Sequence, residues 1–307
     1  MNWYDANRID MEFTWLLNDG FSDFCLFARA RQWRWEEKRG MCLPLPDMDC
    51  YRPLYEWRFT NAYRILDRMS QTIIDIVNHP ISAEEHAMQI YLARLFNRPE
   101  TWAALAPRLP LNSPEKVLEA VSEVAQEVQP LFNAAYMLAP PWTFGFASWT
   151  DLYVARLFEL LESGDLMRLY HSDELALSFE ILNKYPGFGD FLSYQLALDY
   201  SYLHKVDYEA FIVPGPGAQL GFKICYPNTH PKMIPAVIKH LTREGITSFN
   251  KLKVDGNYYP LRGNDIQNLF CEYGKYRKIL DGKFGKRKYT ERMDTSPVLI
   301  PNAWSRP

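Results

Sequence analysis

Leu182-Asn183-Lys184-Tyr185-Pro186-Gly187-Phe188-Gly189 runs directly into Asp190-Phe191-Leu192-Ser193-Tyr194-Gln195-Leu196-Ala197, and the reading of this junction decides the fold. Apolar residues recur at helical spacing on both sides of Pro-Gly-Phe-Gly, which predicts a helix over 173–184, a sharp turn at 186–189 and a second helix over about 190–203. Glycine allows the left-handed backbone that so tight a turn needs. The amides that open the second helix have no partner inside it, and together with the helix dipole they attract a phosphate. Taken alone the pattern is a simple αα-hairpin. With a phosphate in reach it is a grip on a nucleic-acid backbone, through Gly187 and Gly189.

Working outward, the same periodicity predicts helices over 22–39, 149–162, 231–243 and 265–280. Ser82 with Glu85 forms a capping box for a helix to about Asn97, and Ser113-Pro114 starts another that runs to Val128. Thr60 is positioned to cap a long helix to about Asn78. Its positions Ala62, Ile65, Leu66, Met69, Ile73, Ile76 and Val77 would be buried, with Arg64, Asp67, Arg68 and Gln71 nearer the other face. The Pro-containing stretch 43–53 reads as irregular, and 208–213 and 251–259 as short extended pieces. Strand alternation is otherwise scarce. The expected fold is mostly α: a single helical domain over 1–307, in two lobes around one cleft.

Composition agrees with a folded body. Hydrophobic residues make up 48% and aromatics 15%, enough for a large core and too much for disorder. A net charge of −3 argues against a protein that coats nucleic acid nonspecifically, yet it leaves room for a local basic face. Between Lys275 and Lys288 seven basic residues stand against one acid, Asp281. Lys275, Arg277, Lys286, Arg287 and Lys288 are therefore candidate DNA contacts, with Tyr276 and Tyr289 available for stacking. The competing reading of that run is a solvated tail. Cys25, Cys42, Cys50, Cys225 and Cys271 show no C-x-x-C spacing, and the six histidines show no H-E-x-x-H, so neither a disulfide framework nor a metal centre is expected. The opening MNWYDANRIDMEF is acidic where a signal peptide is basic, and no apolar run approaches a membrane span. A soluble, cytoplasmic protein with no membrane partner is expected.

Two further constellations suggest anion chemistry. In Phe211-Ile212-Val213-Pro214-Gly215-Pro216-Gly217-Ala218-Gln219-Leu220-Gly221, Gly215 and Gly217 let backbone approach a ligand and offer successive amides to an anion. The bland reading is a turn, and the chain contains no G-x-x-x-x-G-K-[ST], so it carries no P-loop. In Trp57-Arg58-Phe59-Thr60-Asn61-Ala62-Tyr63-Arg64-Ile65-Leu66-Asp67-Arg68, Arg58, Arg64 and Arg68 cluster at a helix start. Arg64 and Arg68, one turn apart, are expected to share a phosphate. The alternative there is an exposed face with an Asp67 ion pair. After the hairpin, Asp207 and Glu209 are either a solvated acidic pair or catalytic carboxylates.

In order along the chain, R-F-T-N-x-Y-R-x-x-D-R, the hairpin, V-P-G-P-G-A-x-x-G and the helix Asn268-Leu269-Phe270-Cys271-Glu272-Tyr273-Gly274-Lys275-Tyr276 resemble the α-glutamyl/putrescinyl thymine pyrophosphorylase family of phages. That family includes amino acid:DNA transferases and the helical domain of 5-hydroxymethyluracil DNA kinases. The hairpin itself resembles that of helix-hairpin-helix DNA glycosylases. Phe191 stands where bifunctional glycosylases carry a catalytic lysine, which departs from lyase chemistry.

The resemblance, over about residues 20–290, implies a step in thymine hypermodification on DNA: pyrophosphate on the 5-methylene of the base is displaced by an amine or amino acid. It implies a flipped base in a pocket with Asn61 and Tyr63, and pyrophosphate held by Arg58, Arg64, Arg68, Gly215 and Gly217. Asp207 or Glu209 would act as base toward the ammonium. No cofactor is required on this reading, although glycosylase hairpins hold a monovalent cation through turn carbonyls. Two alternatives stay open: a monofunctional DNA glycosylase acting on a modified base, and a noncatalytic DNA-binding subunit of a kinase.

Overall fold

The computed structural model describes residues 2–9, 18–109, 112–133, 138–244, 251–283 and 296–305. The fold is mostly helical, with one two-stranded sheet among the described residues. The chain divides into two compact units: Met1–Asp67 with Tyr208–Val298, and Arg68–Asp207 with Leu299–Pro307.

The second unit is built of helices whose starts the sequence marks. Ser82 Oγ accepts from Glu85 N (3.3 Å) at the head of Ala83–Phe96, Ser113 Oγ from Lys116 N (3.4 Å) at Pro114–Glu127, and Ser148 Oγ from Asp151 N (3.1 Å) at Trp149–Glu162. Each bond satisfies one of the donors that a helix start leaves open. Ala83–Phe96 is buried along most of its length and ends at Asn97 in the left-handed conformation, φ 47°. From its core, Arg94 grips Asp199 with two guanidinium nitrogens, Nη2 lying 2.7 Å from Oδ1, and both side chains are almost wholly buried. The hairpin follows as Leu175–Asn183, the turn, and Asp190–Tyr200 with a 3₁₀ extension Ser201–Leu203. Residues 299–302 return along the helix Arg68–Asn78. Gln71 exchanges two hydrogen bonds with the Leu299 backbone (3.0 and 2.7 Å), and Asn78 bonds Ile300 O (3.0 Å) and Asn302 N (2.9 Å).

The first unit centres on two helices in backbone contact, Pro216–Cys225 and Gly263–Leu280. Gly217, Gly221 and Gly274 make this approach possible. A Cβ on Gly221 would lie 1.8 Å from Phe270 O, and one on Gly217 would lie 2.4 Å from Cys271 Sγ. The helix Asp19–Lys38 adds an aromatic layer: Phe24 stacks on Phe270 at 4.4 Å, and Phe27 meets Tyr276 at 4.9 Å. Leu252–Val254 pairs antiparallel with Asn257–Tyr259 in the register Leu252↔Tyr259. Asp255 (φ 49°) and Gly256 (φ 84°) supply the two positive-φ residues that a twisted two-residue hairpin requires.

Three local expectations are corrected. The long helix from Thr60 is broken into a 3₁₀ turn, Arg64–Leu66, and a helix, Arg68–Asn78, separated by extended Asp67 (ψ 140°). Asn61 N donates to Asp67 Oδ1 (2.8 Å) and Asn61 Nδ2 to Leu66 O (2.7 Å), and such side-chain bonds compete with the helical ladder. Segment 208–213 forms no strand. The Asn7 side chain takes the place of a neighbouring strand, accepting from Ile212 N (2.8 Å) and donating to Ile212 O (2.9 Å). The Gly-Pro-Gly turn is a helix start, with Gly215 as N-cap and Pro216 at the first position, where its missing N–H costs nothing.

Candidate functional site

On the helix Gly263–Leu280, residues 265, 268, 272 and 275 follow one another at spacings of three or four, which places them along one face. That face is polar and largely buried, and the segment 58–64 lies against it. Asp265 Oδ1 accepts from Arg64 N (2.8 Å), and Oδ2 accepts from Arg262 N (2.9 Å), closing the start of the helix. Burial pushes the Asp265 carboxyl up to about 6, against the two amide bonds that favour its charged form. Asn268 Nδ2 donates to Thr60 Oγ1 (2.9 Å) and Asn61 O (3.3 Å), while its Oδ1 receives Arg64 Nη1 (3.4 Å). Glu272 accepts from Thr60 N (3.3 Å) and pairs with Lys275 (3.7 Å).

Cations gather on this seam. Arg31 Nη2 donates to Thr60 O (2.9 Å) and Phe59 O (3.3 Å). Lys275 donates to Arg58 O and stands 4.7 Å from the centre of the Phe59 ring. Arg64 lies 3.8 Å from Asp67, whose carboxyl burial pushes up although Arg64 opposes the shift. The Arg58 side chain is exposed, and Arg64 keeps 17% of its side-chain surface. Arg31, Arg64 and Lys275, with the exposed Arg58 beside them, outnumber the seam carboxylates Glu272, Asp67 and Asp265 by one, so the seam has positive charge to offer an anion.

The structure thus brings Arg58, Asn61, Arg64 and Lys275 together. Tyr63 is buried and accepts from Leu252 N (3.0 Å), which pins the β-hairpin beside the seam. Glu209 Oε1 accepts from Gly263 N (2.9 Å) at the head of the same helix. The close approach permitted by Gly217 is taken up by Cys271, and Gly215 stands at the start of the neighbouring helix. Arg68 sits in the second unit, paired with Glu100 (2.7 Å), so the break at Asp67 removes the one-turn spacing to Arg64. Asp207 is exposed and also belongs to the second unit. Arg277 pairs with Asp23 (3.1 Å), and buried Tyr276 donates to Cys50 O (2.8 Å), which takes its ring out of contention for stacking. Lys286, Arg287, Lys288 and Tyr289 lie outside the described residues. Asp265, Asn268, Glu272 and Thr60 are not among the site residues read from sequence, where Thr60 is only a helix cap and Asn268 and Glu272 only part of the family-like helix; the signal is the polar 3-4-3 spacing inside a buried helix.

In the hairpin, Gly187 takes φ 101° and Gly189 caps the second helix. A shallow pocket of about 360 Å³ opens over 183–189, with Ala139 and Phe144 on its rim. The turn carbonyls suit a monovalent cation poorly, because Pro186 O already accepts from Arg156 Nε (2.8 Å) and Gly187 O from Tyr153 Oη (3.0 Å). Arg156, which donates to one of these carbonyls, is itself paired with Glu159.

A mostly helical chain with a cationic polar seam suits a domain that handles phosphorylated or nucleic-acid ligands. The family described as 5-hmdU DNA kinase, helical domain, matches residues 19–285, and the protein belongs to that family. No curated protein and no solved structure matches the chain. Among the described residues no helix is long and apolar enough to cross a membrane.

Proposed function

We propose that the protein is a thymine-hypermodification enzyme that displaces pyrophosphate from 5-pyrophosphoryloxymethyluracil in DNA with an amino acid or polyamine. The observation that carries this reading is the seam: Arg58, Arg64 and Lys275 gathered on one polar helix face in a member of a DNA-modification family. In the reaction the methylene C–O bond breaks and its electron pair leaves with pyrophosphate. The amine lone pair forms the C–N bond, and the ammonium proton passes to a carboxylate. Cations aimed at the departing oxygens stabilise charge where it develops. Glu209, in the same unit as the seam, is the candidate base; on this reading the stretch that carries Asn61 and Tyr63 borders the extruded base, and the hairpin amides near Gly187 and Gly189 hold the DNA backbone.

The test is incubation of the full chain with DNA carrying 5-pyrophosphoryloxymethyluracil, amino acids and putrescine, followed by nucleoside mass spectrometry. An amine-bearing nucleoside with released pyrophosphate is the expected result, and an abasic site would replace the reading with a glycosylase. Arg64→Ala is expected to lower this turnover far more than binding to unmodified DNA; equal losses would contradict the role given to Arg64. A second reading, consistent with a family described as the helical domain of a DNA kinase, is a noncatalytic DNA-binding subunit of such a kinase. Bound but unchanged DNA in the same assay would select it.

A further inference from the structure

In the first unit, a pocket of about 330 Å³ lies between the helix Asp19–Lys38 and the β-hairpin. We infer that it binds a free α-amino acid, the nucleophile of the proposed reaction, in preference to a polyamine; the inference rests on the transferase reading. Its volume is at the small end of ligand sites, which start at about 300 Å³.

The walls carry both signs of charge. Gln32, Trp35 and Glu36 come from the helix, and Lys251, Lys253 and Tyr258 from the hairpin. Gln32 Nε2 donates to Glu36 Oε1 (3.1 Å), which orients the amide. Gln32 Oε1, in a residue only 4% exposed, has no hydrogen-bond partner among the described residues. Gln32 lines the pocket, so a donor that reached this oxygen when a ligand binds would satisfy an acceptor that the fold leaves unmet. An ammonium group is such a donor, and Glu36 beside it supplies the opposite charge.

Lys251 and Lys253 give the other side of the pocket a charge of the sign that holds a carboxylate. Lys253 Nζ stands 5.4 Å from the Tyr258 ring centre, which keeps the ammonium over the rim. Two lysines against one carboxylate leave the pocket net positive. A zwitterion with ammonium and carboxylate arms complements both walls, whereas a diamine meets repulsion from the lysines and has nothing to give them. One hydrogen bond ties the pocket wall to the seam: Leu252, which lines the pocket, donates its N–H to Tyr63, the residue before Arg64.

Binding of glycine, L-serine, L-glutamate and putrescine to the full chain without DNA, followed by calorimetry, tests the site apart from the reaction. At least one amino acid is expected to bind more tightly than putrescine. Lys253→Gln and Gln32→Met are each expected to weaken it about ten-fold or more, as loss of a charge-assisted contact requires. Circular dichroism of both variants checks that they fold, and the exposed Lys253 substitution keeps the test open if Gln32→Met does not. Tighter binding of putrescine, or amino-acid affinity untouched by Lys253→Gln, would overturn the inference. Amino-acid binding that both variants weaken, with no transfer to DNA, would support the pocket and sink the transferase reading. Transfer with an unaltered KM for the amino acid in both variants would do the reverse.

Discussion

Replacing Gly221 by alanine puts one methyl group where the helices Pro216–Cys225 and Gly263–Leu280 meet. The added carbon would lie 1.8 Å from Phe270 O, 2.7 Å from Phe270 C and 3.1 Å from Gly274 N, the first more than 1 Å inside the 3.0 Å that side-chain carbons keep. All three obstacles are backbone, so no side-chain rotation relieves them and the helices must separate. Overpacking costs about 1–3 kcal/mol where side chains can yield, and a backbone obstacle puts this site at the top of that range. Alanine offsets about 1 kcal/mol through its better helix propensity. A net loss of about 2 kcal/mol follows, roughly a thirty-fold shift in the folded to unfolded ratio. Urea unfolding of the full chain, followed by tryptophan fluorescence, reads it. Gly189→Ser is the companion control, since that position has open space around it and serine is a good N-cap; its midpoint is expected to stay near that of the parent. A Gly221→Ala midpoint equal to or above the parent's would refute the claim that backbone contact at Phe270 holds this pair together.

The buried Asp265 carboxyl gives a pH signature: with its pKa raised from 3.8 to about 6, the folded state holds the proton more tightly than the unfolded one. Its contribution to stability is full below about pH 4 and is lost as pH rises through about 6, a fall of up to about 3 kcal/mol. Comparing urea midpoints at pH 4.5 and 7.5 for the parent and Asp265→Asn should show a fall larger in the parent by about 2 kcal/mol, since Asp67, also pushed up by burial, contributes to both; parallel pH profiles would contradict it. Arg94→Leu strands the buried Asp199 charge and is expected to cost about 3–5 kcal/mol, whereas Arg94→Leu with Asp199→Leu should recover much of the loss; thermal unfolding of single and double variants decides. Because Arg156 and Tyr153 take the turn carbonyls, DNA binding in a gel-shift assay is expected to be alike in NaCl and KCl of equal strength. A strong preference for one ion in the parent would show that the turn binds a metal ion after all.

Helix starts were legible because their signals are local: Ser82, Ser113 and Ser148 each accept from the amide three residues on, and Pro-Gly-Phe-Gly marks its own turn. The break at Asp67 was not, because Arg64 N is claimed by Asp265, 201 positions away, and Asn61 by Asp67. Nothing in the window 60–78 announces those partners, and its apolar spacing fits one helix as well as two. Gly217 could be read as permitting a close approach, but only the fold shows that the approaching atom is Cys271 Sγ. The candidate site was half visible. Arg58, Asn61 and Arg64 were in view, while the helix face that receives them required knowing that 265, 268 and 272 are buried. Lys275 and Tyr276, grouped by charge with a basic run, belong instead to the seam and the core.

The interleaving of the two units has a consequence for how the protein is made. During synthesis the helix Asp19–Lys38 emerges long before Gly263–Leu280, the helix on which its Phe24 and Phe27 pack. Nearly all of the other unit, 68–207, is delivered in between and can condense around Arg94 and Asp199 from residues close in time. Even that unit waits for its strap, since Gln71 and Asn78 meet Leu299 and Ile300 only once those residues have been made. A nascent chain therefore carries the aromatic face of Asp19–Lys38 uncovered until residues 263–280 have been made.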